Sequence, residues 1–165
     1  MANAMAQAIG AQAAFPGRQE VSLSGDGGFS MLMGDLLSLK QLRLPVKVVL
    51  FNDSALGFIE LGQKSTGFLP FGTEFENPKF AAMAEAAGIR GIRVEEPAQV
   101  EEAIAAALSH DGPVVGDSVV ARTERAMPRP NMMETAKDFS LYMVKAVING
   151  RADEILDPAK THLGR

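Results

Sequence analysis

The sequence contains no cysteine and only two histidines among its 165 residues. Without cysteine the chain has no disulfide and no thiolate metal site, and its composition fits a reducing cytoplasm. Its 16 basic residues form no cluster and are outnumbered by 20 acidic ones, so a nucleic-acid partner is not expected. No apolar run approaches the roughly 20 residues that span a bilayer, and the N-terminus lacks the regions of a signal peptide.

Hydrophobic residues make up 47% and charged residues 22% of the chain, which fits one globular domain with an appendage. Strand and helix patterns alternate along the first 121 residues, with short connections between them. Strands are predicted over 20–24, 46–51, 89–94 and 113–121, and helices over 2–14, 30–42, 78–88 and 97–110. This alternation predicts an α/β fold, a mainly parallel sheet flanked by helices.

One segment departs from the alternation. Residues 56–73 are rich in glycine and are predicted to form an irregular loop, of a length typical of a functional lid. The helix over 97–110 is predicted to carry one apolar stripe, made of Val100, Ile104 and Leu108. Neither His110 nor His162 has a serine or cysteine partner implied by spacing, so histidine-dependent nucleophilic catalysis is not expected.

The composition changes after Ala121, so the chain is predicted to divide into a domain over 1–121 and a tail over 122–165. Met127–Pro130 reads as a stiff, extended linker. A helix is predicted over 132–148, with an apolar stripe and with Lys137, Asp138 and Lys145 on the remaining face. The stripe consists of Met132, Ala136, Phe139, Met143 and Val147. Such a helix can lie in a membrane interface or pack on the domain.

The motif with the most chemical content is Gly25-Asp26-Gly27-Gly28-Phe29, followed 27 positions after the aspartate by Asp53. Each half comes directly after a predicted strand, and one crossover helix fits between them. Because ligands bind at the carboxyl ends of parallel strands, both carboxylates are expected at one crevice. Carboxylates and free backbone groups suit a hard cation and a diphosphate that it bridges. The alternative is that Asp26 and Asp53 only serve turns and helix caps.

The Gly-Asp-Gly pattern with this spacing to Asn52-Asp53-Ser54 resembles the thiamine diphosphate motif. Three further segments narrow the resemblance to the pyruvate oxidase family, the quinone-dependent pyruvate dehydrogenases. These segments are Asn52–Phe58, the strand entry Leu44-Pro45-Val46, and Asp138–Met143. The resemblance runs from residue 1 to residue 165 and is to the cofactor-binding C-terminal third of those enzymes. It implies that two further domains precede Met1.

The resemblance assigns roles to individual residues. Mg²⁺ would be held by the carboxylates of Asp26 and Asp53 and the carbonyl of Ala55, although the family carries asparagine at position 53. The backbone at Gly27 and Gly28 would approach the diphosphate. The other cofactor contacts would be Met1, wedged beneath the cofactor, and Ser54, Leu56, Gly57, Phe58 and Ile59. Phe58 would act in catalysis, in electron transfer toward flavin. The alternatives are that Met1 is the initiator methionine, that Gly27 and Gly28 form an ordinary turn, and that Phe58 is a core residue.

The resemblance also implies an activity for the complete protein. It would decarboxylate pyruvate to acetate and CO₂ and pass two electrons through FAD to ubiquinone. The glutamate that activates the cofactor and the FAD site would lie in other domains, so the chain alone is expected to be inactive. A homotetramer is expected, cytoplasmic and peripheral on the inner membrane, with the C-terminal segment at the membrane surface. The alternatives are an acetolactate synthase-like domain and a non-enzymatic magnesium or nucleotide-binding module.

Overall fold

The computed structural model describes residues 1–122, 132–153 and 155–156, and the side chains of 132–136 are not described. A four-stranded parallel sheet has the order β1-β2-β4-β3, where β1 is Val21–Gly25, β2 is Lys47–Asn52, β3 is Arg90–Val94 and β4 is Val114–Val119. The α/β fold with a parallel sheet and flanking helices is therefore confirmed.

The helices lie between the strands, as the alternation predicts. They are α1 Ala4–Ala14, α2 Asp26–Met31, α3 Leu36–Gln41, α4 Gly57–Ser65, α5 Phe80–Ala86, α6 Val100–Ser109 and α7 Met132–Ile148. Two 3-10 turns, Met33–Asp35 and Pro97–Gln99, precede α3 and α6. Among the described residues, no helix combines the length and the apolar character needed to cross a membrane.

The core lies on one face of the sheet. Val48 and Leu50 of β2 and Val115 of β4 are buried there. The helices on this face contribute Met5, Leu36, Leu39, Ala84 and the two rings of Phe29 and Phe80, whose centroids are 5.4 Å apart in an edge-to-face arrangement. Apolar burial on this scale is what fixes the strands that carry the polar residues at their carboxyl ends.

Two predictions about helices are wrong. The helix over 30–42 is instead α2, a 3-10 turn and α3, and it begins at Asp26, directly at the end of β1. The segment 56–73 is not an irregular loop, because α4 occupies Gly57–Ser65. The helix over 97–110 is present as α6, and the side chains of its apolar stripe, Val100, Ile104 and Leu108, are exposed, whereas Ala103, Ala106 and Ala107 are half-buried.

The chain forms two compact units, described separately below. The first comprises Met1–Ser54 and Glu76–Val120, and the second comprises Ala55–Phe75 and Ala121–Arg165. The predicted linker Met127–Pro130, His162 and the side chains of Met132 and Ala136 lie outside the described residues.

The second unit is built by α4 and α7. The helix α7 is present as predicted, but its buried face is centred on Tyr142 and Ala146, while Val147 is exposed. Lys145 is not on a free face, because its Nζ donates to the carbonyl of Gly67 at 2.7 Å. Gly67 has a φ of +77° and follows α4, where a left-handed glycine ends a helix without strain.

A buried carboxylate organises the same unit. Glu60 of α4 is 5% exposed, and it is bound by Lys64 at 2.7 Å and by Arg122 at 3.0 Å. Arg122 also contacts Glu74 at 3.0 Å. Burial alone would lower the pKa of Arg122, but the hydrogen bonds and charges of the two glutamates outweigh it and raise that pKa. Arg122 is thereby fixed to the segment 55–75.

Candidate functional site

The end of β1 places Asp26 at the carboxyl edge of the sheet. Gly25 pairs in register with Phe51, so the ends of β1 and β2 are adjacent, as predicted. The Asp26 carboxylate is 1% exposed, and its Oδ1 accepts a hydrogen bond from its neighbour Gly27 N–H at 2.9 Å. Its Oδ2 accepts from Ser54 N–H at 2.7 Å and from Asn77 Nδ2 at 2.6 Å. The two halves of the motif therefore meet at one carboxylate.

Ser54 adopts a backbone conformation that its side chain disfavours. Its φ is +56°, in the left-handed region, which costs a residue with a Cβ about 1–2 kcal/mol. Its amide donates to Asp26, and a charge-assisted bond of this kind stabilises by about 1.5–3 kcal/mol. The hydrogen bond therefore offsets the backbone strain, and the strain falls beside the carboxylate, where functional residues cluster.

A chain of hydrogen bonds connects Asp26, at the end of β1, to β3 at the opposite edge of the sheet. Asn77 Nδ2 donates to Asn52 Oδ1 at 2.8 Å, and Asn52 Nδ2 donates to Asp117 Oδ1 at 2.8 Å. Arg93 Nη1 in turn donates to Asp117 Oδ2 at 2.6 Å. Burial alone would lower the pKa of Arg93, but its bonds to Asp117 and Glu95 raise it. The ends of all four strands thus contribute to one polar network.

Sequence reasoning missed three members of this network. Asn77, Arg93 and Asp117 belong to no recognised motif. Asp117 carried the one available signal, since it lies inside an apolar strand and a carboxylate is almost never buried without a partner. Its partners are 24 and 65 positions away along the chain.

The environment of Asp26 fits a divalent cation. A carboxylate offers about four acceptor positions. Within the described residues, Oδ2 accepts two hydrogen bonds and Oδ1 accepts one, so an acceptor position remains on Oδ1. Asp53, half-buried, follows at the end of β2. In the described part of the chain no three His, Cys, Asp or Glu side chains form a metal cluster. Mg²⁺ bound mainly through one or two carboxylates and phosphate oxygens requires no such cluster.

The glycine pair lies inside α2 instead of in a loop before it. Gly27 is buried and its N–H is already bound to Asp26 Oδ1. Gly28 is half-buried, and a Cβ there would meet its nearest neighbour, Ala2 N, at an ordinary 3.6 Å. Since packing within the protein does not require glycine at 28, the small residue is consistent with close approach of a ligand to the backbone.

The remaining predicted contacts fall in different places. Met1 is 70% exposed. Ala55 to Ile59 belong to the second unit, where Ala55 bridges to Glu74, and Leu56 N–H donates to the carbonyl of Thr73 at 2.8 Å. Gly57 opens α4, and Phe58 in its first turn is 76% exposed. The alternative that Phe58 is an ordinary core aromatic is therefore wrong.

Comparison with known proteins gives a consistent result. Residues 1–118 match the family described as thiamine pyrophosphate enzyme, C-terminal TPP binding domain. A putative thiamine pyrophosphate-containing protein, YdaP, from Bacillus subtilis is 39% identical over 84% of this chain and 24% of that protein. Pyruvate oxidase from Lactiplantibacillus plantarum is 31% identical over 94% of this chain and 26% of that enzyme. Acetolactate synthase isozyme 2 large subunit from Escherichia coli is 34% identical over 73% of this chain and 22% of that subunit. The chain spans about a quarter of the length of these relatives.

Proposed function

The chain belongs to the thiamine pyrophosphate enzymes, as their C-terminal cofactor-binding domain, and we propose that Asp26 and Asp53 hold the Mg²⁺ of the cofactor. Thiamine pyrophosphate (thiamine diphosphate) supplies an electron sink for a carbanion when bound. The observation that carries the proposal is the buried Asp26 carboxylate, fixed by three donors with an acceptor position left on Oδ1.

The chain's own residues would act by binding and orienting the diphosphate. Asp26 would neutralise the cation from the end of β1, and the backbone around Gly28 would admit the phosphates. Aspartate at position 53, where the motif has asparagine, keeps an oxygen ligand and adds one negative charge. We therefore expect tighter cation binding than an Asp53→Asn variant gives.

Calorimetric titration of the 165-residue chain tests this part of the proposal. Thiamine diphosphate with Mg²⁺ should bind, and Asp26→Asn should abolish binding while leaving the circular dichroism spectrum unchanged. A parallel titration with ATP and Mg²⁺ tests the alternative that the chain is a nucleotide-binding module. Tighter binding of ATP, or undiminished binding in Asp26→Asn, would contradict the assignment.

For the complete protein we propose oxidation of pyruvate to acetate and CO₂, with electrons passing through FAD to ubiquinone. The support is the extent of similarity: the match to pyruvate oxidase covers 94% of this chain, beyond the cofactor domain, whereas the match to the Escherichia coli acetolactate synthase covers 73%. Acetolactate synthesis is the second candidate, because identity within the matched region is similar.

An assay of the complete protein distinguishes the two reactions. Pyruvate-dependent reduction of a dye acceptor with release of acetate is expected, with bound FAD visible in the absorption spectrum. Acetolactate as the sole product would exclude the oxidase. Phe58→Ala should lower dye reduction by a larger factor than it lowers thiamine diphosphate affinity, since the exposed ring is proposed to act in electron transfer to flavin as well as to contact the cofactor.

We also propose that other parts of the complete protein cover one face of the sheet. Val21 and Leu23 of β1 and Phe51 of β2 share this face and are 44%, 60% and 46% exposed. Adjacent exposed apolar side chains are typical of an interface. A homotetramer is expected for the complete protein by analytical ultracentrifugation, and a monomer would contradict this proposal.

The C-terminal segment is proposed to bind the membrane surface on the cytoplasmic side. Support comes from α7, where Leu141, Val144, Val147 and Ile148 are all at least 47% exposed. An amphipathic helix with such a face binds a bilayer mainly by apolar contact. Deletion from Glu124 onward in the complete protein should abolish co-sedimentation with liposomes and spare thiamine diphosphate binding. Unchanged co-sedimentation would exclude this role.

A further inference from the structure

Asn77 links the two strand ends that carry the motif. It lies just before Pro78 and α5, and its side chain is half-buried. Its Nδ2 donates to Asp26 Oδ2 at 2.6 Å and to Asn52 Oδ1 at 2.8 Å. An amide nitrogen carries two protons, so both are used. A single side chain from outside the motif therefore holds the end of β1 to the end of β2.

The orientation of this amide is determined by its partners. If the Asn77 amide were flipped, its oxygen would face the oxygens of Asp26 and Asn52 without a donor between them. The orientation of Asn52 is fixed in the same way, because its Nδ2 donates to Asp117, which is fully buried. Arg93 anchors Asp117 at 2.6 Å. Donation therefore runs outward from Asn77, to Asp26 on one side and through Asn52 to Asp117 on the other.

The effect on Asp26 is asymmetric. Its Oδ2 receives the bonds from Ser54 and Asn77, whereas Oδ1 receives only the bond from Gly27. Two donors on one oxygen prevent the carboxylate from rotating. The oxygen with a free acceptor position is thereby held in one direction.

We propose that Asn77 is a positioning residue for the cation site, an inference that rests on the function proposed above. Asn77 fixes the Asp26 carboxylate so that Oδ1 faces the metal. It touches neither the cation nor the substrate and acts through Asp26. Removing an outer partner of a metal ligand typically lowers metal affinity about 10–100-fold. The same loss is expected here.

The test uses the ¹⁵N-labelled 165-residue chain and Mn²⁺ alone as a paramagnetic probe. Mn²⁺ at the site should selectively broaden the backbone amide signals of Gly27 and Ser54, which donate to Asp26, and Asp26→Asn should remove this effect. Asn77→Ala and Asn77→Leu both delete the amide, and leucine nearly preserves its volume. Asn149→Ala is the matched control, since Asn149 is exposed and its side chain bonds only to the Lys145 carbonyl in the described structure.

The expected result is an about 10–100-fold higher Mn²⁺ concentration for half-broadening in both Asn77 variants, with sheet amide signals in place and Asn149→Ala unchanged. An unchanged concentration in a folded Asn77 variant would overturn the positioning role and leave the cation site standing. Absence of selective broadening in the wild-type chain would overturn the cation site and this inference together. Loss of the sheet signals in both Asn77 variants would assign the residue to folding and overturn the proposal.

Discussion

Replacing Asp117 by alanine should destabilise the first unit by about 3 kcal/mol. The Asp117 side chain is fully buried and accepts hydrogen bonds from Asn52 and Arg93. The substitution leaves the Asn52 amide without its acceptor in a residue that is 5% exposed, which costs about 1–3 kcal/mol. It also removes the bond from Arg93, which is discounted to about 1 kcal/mol because that side chain is 36% exposed.

Glu95→Ala is the matched control. Glu95 is the other carboxylate bound to Arg93, at 2.9 Å, but its side chain is 64% exposed. Exposed ion pairs contribute about 0–1 kcal/mol, so this variant should change stability by less than about 0.5 kcal/mol. Comparing the two variants distinguishes the stability that a buried carboxylate contributes from the stability that an exposed ion pair contributes.

Amide hydrogen exchange in β2 and β4 measures the effect directly, because protected sheet amides report opening of the unit that contains them. A loss of about 3 kcal/mol would increase their exchange rates by roughly two orders of magnitude. In a thermal scan the midpoint should fall by about 6–12 °C. If Asp117→Ala and Glu95→Ala changed exchange equally, the network would not stabilise the strand ends and the reasoning would be refuted.

Three further predictions follow from packing and burial. Gly91→Ala should lower the free energy of unfolding, measured in urea, by more than about 3 kcal/mol, because its Cβ would lie 2.1 Å from the Ala81 carbonyl oxygen. Gly116→Ala is the control and should change that free energy little, because its Cβ would lie 3.8 Å from the Val48 carbonyl oxygen. Gly67→Ala should speed amide exchange in α4 and α7 more than Gly150→Ala does, because both have positive φ but only Gly67 has neighbours within 4 Å, Leu141 and Asp138. Burial lowers the pKa of Lys47 below 10.5, although the charge of Asp111 opposes this shift. Between the lowered pKa and 10.5 the unfolded state binds more protons than the folded state, so the free energy of unfolding should rise with pH more steeply than it does in Lys47→Met. The same pH dependence in the wild type and in Lys47→Met would contradict this.

The fold could be predicted from sequence because each strand is a short apolar run followed by a helical pattern. Parallel strands place their carboxyl ends at one edge, so the meeting of Asp26 and Ser54 also followed from the pattern. The helix α4 could not be recognised by glycine content. Gly57 begins it and Gly67 follows its end, where glycine is well tolerated, and only Gly62 lies inside.

The polar network could not be predicted for a different reason. Asn52 and Asp117 are brought together by the sheet order, which places β4 beside β2, and Asn77 reaches Asn52 from the segment before α5. Their separations along the chain, 25 and 65 residues, carry no periodic signal. The exposed stripe on α6 shows the same limit, since the spacing of apolar residues predicts a face but not which neighbour covers it.

The hydrogen bonds at Asp26 bear on how the cation site forms. An ionised carboxylate buried without partners is strongly unfavourable, so a site that relied on the cation alone to balance its charge would be destabilised without it. Asp26 instead has three donors supplied by the protein, two of them from outside α2. Those donors belong to segments that the core already fixes, namely the end of β2 and the entry to α5. The carboxylate is therefore held in place by folding, and the cation would bind to a preformed site instead of assembling it.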